Sequence, residues 1–172
     1  MLTVTGVQTC ALPISHQNLA AGESHVETFT VVVTDDKGGT AEQTVSVTVN
    51  GNNDAPVITS GAQTGSVTED TSLVATGQVT SSDIDHGATA SYAVANGTGA
   101  YGSLAVDAAT GAWTYTLDNE AHQNLAAGES HVETFTVVVT DDKGGTAEQT
   151  VSVTVNGNND APVITSGVQT GS

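Results

Sequence analysis

Arginine is absent from this 172-residue chain and lysine occurs only at Lys37 and Lys143, against 19 Asp and Glu, for a formal net charge of −17. A phosphate polymer is held by a basic face that releases counterions, so this balance argues against nucleic acid as a partner. Such an excess of one sign also repels itself and weakens the compact state unless something positive is bound. Cysteine occurs once, at Cys10, which removes disulfides, thiolate zinc sites and iron–sulfur centres together. No apolar run approaches the roughly 18–20 residues of a membrane-spanning helix. Aromatics number six, one Trp, three Tyr and two Phe, too few to line a glycan pocket and still build a core. Disorder is the rival reading of so acidic a chain. Charged residues make up only 12% of it, however, and Val and Thr recur in runs, which is the composition of strands.

What the chain does have is repetition. The stretch VNGNNDAPVITSG stands at Val49–Gly61 and again at Val155–Gly167, and His16–Ser66 matches His122–Ser172 at every position except Ala62 against Val168. A period near 100 residues suits one whole domain per repeat, where solenoid turns need about 20–50. Four segments are expected: Met1–Ser15 as a leader without a fold, 16–54 as the back half of a truncated repeat, 55–160 as a complete repeat, and 161–172 as the first strand of a third. The chain therefore reads as a window cut from a longer array. Val4–Ile14 resembles a translated sequencing adapter. Met1–Ser15 also lacks the charged start and long apolar core of a signal peptide, so it is set aside, and Cys10 with it.

The Val and Thr runs alternate with period two, the pattern of half-buried strands. Phe135, Val137 and Val139 share one face of FTVVVT, and Val151, Val153 and Val155 share one face of TVSVTV. The intervening DDKGG predicts a hairpin. Leu104 and Val106 lead through AATGA to Trp113, Tyr115 and Leu117, a second hairpin, and an Asn-Gly turn is expected at Asn96–Gly97. Leu125 is expected to plug the core, with Gly128 making a turn. About seven short strands in roughly 100 residues predict an all-β chain of tandem immunoglobulin-like β-sandwiches. Without disulfides, so thin a core leans on some other staple.

Acidic and amide side chains gather at the strand ends, in VTED (Glu69, Asp70), DIDHG (Asp83, Asp85), LDNE (Asp118, Glu120), TDDKGG (Asp141, Asp142) and NGNND (Asn156–Asp160). Calcium takes six to eight oxygens from such groups, and D-x-D spacing in an extended segment points two carboxylates the same way. Taken singly, each stretch is ordinary turn chemistry, since Asp, Asn and Gly are what turns are made of.

In this order the motifs resemble a cadherin-like repeat, and closely the VCBS repeats of giant bacterial surface adhesins of the RTX type. The resemblance covers nearly all of the chain after Ser15. It implies an extracellular β-sandwich strung into rods, with calcium stiffening each junction, in proteins exported by a type I system and used for surface attachment and biofilm. It also implies a calcium ligand set. Glu69 resembles the first-strand glutamate, Asp83 and Asp85 the D-x-D pair, and Asp118 and Glu120 the acids of an L-D-R-E motif in which Asn119 replaces Arg. Asp141, and Asp35 in the earlier copy, resemble the aspartate of the A-T-D-x-G turn. Asn52 with Asp54, and Asn158 with Asp160, resemble the linker D-x-N-D-N-A-P. On this scheme neither junction in the chain is whole, because each lacks ligands from one flanking copy.

The five histidines reduce to three independent positions once repetition is allowed for, and none is spaced as a helical metal pair. His86 reads as an exposed loop residue. A catalytic reading finds only Asp83 with Asp85, or Ser130 beside His131, and neither supplies a nucleophile, a base and an orienting group. The expectation is a non-catalytic, calcium-binding stalk repeat whose partners are neighbouring repeats of the same chain, with cell or abiotic surfaces reached through another domain. The alternative is a direct adhesion or ligand-binding module, acting by self-association or on glycans.

Overall fold

A computed structural model describes residues 16–171; the leader expected at Met1–Ser15, with Cys10 and the adapter-like Val4–Ile14, lies outside the described residues. No α-helix occurs among those described, and none is long and apolar enough to cross a membrane. Every regular element is a strand, as the β-branched alternation predicts.

Two strands, β1 (Ser24–Thr34) and β2 (Thr40–Asn50), form an antiparallel hairpin. The remaining nine build the sandwich: β3 (Val57–Ile58), β4 (Gln63–Thr68), β5 (Val74–Gln78), β6 (Ser81–Ser82), β7 (Ala90–Val94), β8 (Gly102–Val106), β9 (Ala112–Leu117), β10 (Ser130–Asp141) and β11 (Thr146–Asn156). One sheet has the order β4-β11-β10-β7 and the other β5-β9-β8, while β3 and β6 make a short pair beside them. All pairings are antiparallel except β4 with β11, which run parallel from Val151↔Gln63 to Asn156↔Thr68.

Between the two sheets lies the predicted core. Phe135, Val137, Val139, Val151, Val153 and Val155 point inward from β10 and β11 and meet Leu104, Trp113, Tyr115 and Leu117 from β8 and β9, all buried. Tyr115 and Phe135 touch across the gap at 5.8 Å between ring centroids. Trp113 donates its indole N–H to Gln63 Oε1 at 2.8 Å, which places its one polar group without opening the core. Glycine at position 77 is dictated by that indole, since a Cβ there would stand 2.5 Å from Trp113 Cε2. Leu125 packs against the core and Gly128 turns at φ 88°, as expected.

The Asn96–Gly97 stretch departs from a simple hairpin turn. β7 pairs with β10 and β8 pairs with β9, so the residues between them carry the chain from one sheet to the other. An isolated bridge, Thr98↔Ser103, and the bond from Leu104 N–H to Gly97 C=O at 2.8 Å fasten this crossing. Residues 157–171 form no strand, and Val163 and Ile164 are exposed.

Candidate metal sites at the two ends of the sandwich

The sandwich has an entry pole, where the linker before β3 meets the β10–β11 turn, and an exit pole, where β4, β9 and β11 end. At the entry pole Asp141 closes its own turn, Oδ1 accepting the backbone N–H groups of Lys143 and Gly145 at 2.8 Å each. Its other oxygen, Oδ2, accepts from Asn53 Nδ2 at 3.0 Å. That side-chain bond, assisted by the turn amides and opposed by desolvation, holds the Asp141 carboxyl below its ordinary range. Asp85 accepts the Asp54 N–H through Oδ2 at 3.0 Å, and Asp83 Oδ1 accepts the Asp85 N–H at 2.9 Å. Hydrogen bonds thus join the linker to the D-x-D pair at Asp54 and to the turn aspartate at Asn53.

The exit pole is organised around Glu69. Its N–H donates to Asn156 C=O at 3.1 Å, and its Oε2 accepts from Asn158 N–H at 3.3 Å. Next to it Asp70 takes a left-handed backbone, φ 61°, uncommon outside glycine. Asn119 explains how that conformation is held: Asp70 N–H donates to Asn119 Oδ1 at 2.8 Å, and Asn119 Nδ2 donates to Asp70 Oδ1 at 2.9 Å. The Asn119 amide, with Gln123 behind it, keeps the Asp70 carboxyl below its usual range. Asn119, read in the sequence as a substitute for Arg, is thus the clasp of this turn. Asp118, Glu120 and Asp160 are exposed, Asn158 is half-buried, and Asp118 N–H donates to Tyr101 C=O at 2.9 Å.

Three buried carboxylate oxygens have no hydrogen-bond partner: Glu69 Oε1 at the exit pole, and Asp83 Oδ2 and Asp85 Oδ1 at the entry pole. Among the described residues only one other buried side-chain polar atom, Ser60 Oγ, shares that condition, so the orphans concentrate on expected ligands. A bare buried carboxylate oxygen is costly, and a hard cation that binds oxygen is the partner such a set fits. Asn52 is exposed, and Asp35 accepts the N–H groups of Lys37 and Gly39 in its own turn, as Asp141 does. Among the described residues no three carboxylates of the expected set bring their oxygens within 4.8 Å of one another.

Two side chains were missed by sequence reading. Asn53 was passed over in favour of Asn52 and Asp54, yet it is the linker residue that bonds Asp141. Glu133 is buried, its carboxylate accepting Tyr101 N–H at 2.9 Å, Ala100 N–H and the Tyr115 hydroxyl at 2.6 Å. Burial, then the adjoining Glu133 carboxylate, pushes the Tyr115 hydroxyl well above its ordinary range. Glycine at 99 makes room for this arrangement, since a Cβ would stand 2.5 Å from Glu133 Oε1. The signal was present: Glu133 has the inward parity of Phe135 and Val137.

Residues 53–157 match the family model of the bacterial cadherin-like domain. The chain belongs to that family. Solved cadherins share the fold of this cadherin-like chain: protocadherin gamma B7 extracellular cadherin domains 1–4 superpose with a TM-score of 0.52 at 18% identity, over 80% of this chain and 33% of that one. Mouse cadherin-23 EC22–24 gives 0.48 at 22%, over 80% of this chain and 43% of that one. Protocadherin gamma B2 extracellular cadherin domains 1–5 give 0.49 at 20%, over 77% of this chain and 25% of that one. The cadherin-like chain thus spans less than half the length of these structures. No curated protein matches it.

Proposed function

We propose that this chain is a segment of a non-catalytic, extracellular stalk, a VCBS-type repeat in a bacterial adhesin of the RTX class, exported by a type I system and supporting attachment and biofilm. Calcium stiffens it in this reading. The observation that carries the proposal is the set of orphaned oxygens, Glu69 Oε1 at one pole and Asp83 Oδ2 and Asp85 Oδ1 at the other, separated by the 12 residues of β10. At about 3.3 Å per residue that is on the order of 40 Å, so the two groups serve different junctions.

Asp83, Asp85, Asp141 and linker residues Asn52 and Asp54 would hold the ion at the entry pole; Glu69, Asp118, Glu120, Asn158 and Asp160 would hold it at the exit pole. Bound calcium supplies positive charge that neutralises repelling carboxylates and joins linker to sandwich. The chain's own contribution is already arranged: Asp54 N–H on Asp85, Asn53 on Asp141 and Asn158 N–H on Glu69 tie each linker to its pole.

The test is thermal unfolding of the chain, followed by Trp113 fluorescence, in EDTA, in millimolar magnesium and across a calcium titration. A steep, calcium-selective rise in Tm supports the stalk. A curve indifferent to calcium makes the acids turn and surface residues and favours a direct adhesion module.

A further inference from the structure

Asparagine is followed by glycine three times, at Asn50–Gly51, Asn96–Gly97 and Asn156–Gly157. Glycine has no side chain to shield its backbone nitrogen, which then has access to the amide carbon of the preceding asparagine. Two of the three pairs are tied down. Gly51 N–H donates to Glu23 C=O at 2.9 Å, and Gly157 N–H to Glu129 C=O at 3.0 Å. Asn156 is held again through Nδ2, which donates to Ser66 Oγ and to Val67 C=O at 2.9 Å each.

Asn96 has neither restraint. Among the described residues no acceptor meets Gly97 N–H or Asn96 Nδ2, and Asn96 is exposed where the chain begins to cross between the sheets. The bond it does make favours reaction: Oδ1 accepts Thr98 N–H at 3.2 Å, an Asx turn that draws electron density from the amide carbon. Packing also fixes the glycine, since a Cβ at position 97 would stand 2.5 Å from the Leu104 carbonyl oxygen.

We propose that Asn96 is a site of spontaneous deamidation, singled out by the fold from the other Asn-Gly pairs. The Gly97 nitrogen gives its proton to solvent base and bonds to Asn96 Cγ, and the Cγ–Nδ2 bond breaks to release ammonia. Water then opens the cyclic imide at either carbonyl, leaving aspartate or isoaspartate. Asparagine and water thus become acid and ammonia, with nothing oxidised or reduced. Either product sets a new carboxylate on a cavity of about 340 Å³ that Asn96 lines with His131 and Glu133. The inference is independent of the calcium and stalk readings.

The test ages the whole chain in warm, mildly alkaline buffer, cleaves it at glutamate and locates conversion by tandem mass spectrometry. Ala62 and Val168 distinguish the peptides that carry Asn50 and Asn156. Trp113 emission shows that the sandwich stays folded during ageing. Asn96 is expected to convert first. Each bond that must open beforehand slows the step about fivefold, so Asn156, with three, lags well behind. In urea, where those bonds are gone, the three sites are expected to convert alike, and Asn96→Gln abolishes the early product. Conversion of Asn96 no faster than Asn156 in the folded chain overturns the proposal, as does a lead that persists undiminished in urea.

Discussion

Ser24–Asn50 and Ser130–Asn156 are one sequence in two surroundings. Both fold into the same hairpin with the same register, Phe29 opposite Val45 and Phe135 opposite Val151, and in both an aspartate, Asp35 or Asp141, closes the turn. Their burial differs. Val137, Val139, Val151 and Val153 are fully buried, whereas Val31, Val33, Val45 and Val47 remain 37–47% exposed. Local chemistry therefore suffices for the strands and the turn, while the opposing sheet of β5, β9 and β8 converts an alternating pattern into a core.

Truncating the shared phenylalanine separates the two most sharply. Phe135→Ala is expected to cost the sandwich about 3–5 kcal/mol, while Phe29→Ala leaves the Trp113-reported Tm nearly unchanged. Equal effects would mean that β1–β2 is integral to the sandwich. Next comes the shared glutamate. Glu133→Ala strands two amides and a phenol and is expected to cost about 3 kcal/mol, with Glu27→Ala close to neutral in the same melt. The turn aspartates follow. Asp141→Asn is expected to reduce the calcium-dependent rise in Tm and Asp35→Asn to leave it intact; a site held at about a hundred times its Kd would stabilise the fold by about 2.7 kcal/mol.

The smallest effect concerns pH, through Tyr115, which the β1–β2 hairpin lacks. Its pKa is raised on folding, so its contribution is complete below about pH 10 and is lost as pH climbs from there through the folded value. Melting of the wild type is expected to fall as pH climbs above about 10, and that of Tyr115→Phe to fall less.

Period-two alternation and turn chemistry were enough to read the strands and the core from the sequence, and the family was legible as a resemblance of five acidic motifs in order. What escaped depended on contacts distant along the chain. Glu133 looked like an ordinary polar position because its partners, Ala100, Tyr101 and Tyr115, come from another sheet and a crossing loop. Asn53 was hidden among neighbours of the same type, since only its meeting with Asp141, 88 residues away, distinguishes it from Asn52. That the Asn96–Gly97 stretch crosses between sheets was not legible, because dipeptide signals fix a bend without fixing which sheet receives the next strand.

If the domain serves in the proposed stalk, the parallel pairing of β4 with β11 bears on how it would carry load. β4 lies near the point where the chain enters at one pole, and β11 ends where it leaves at the other. Tension along an array would drag these two strands in opposite directions along their length, so their six paired positions, Gln63–Thr68 against Val151–Asn156, would resist as a block in shear. An antiparallel hairpin pulled from its open end yields one rung at a time. In the proposed stalk the strands nearest the two attachment points would be the ones to yield last.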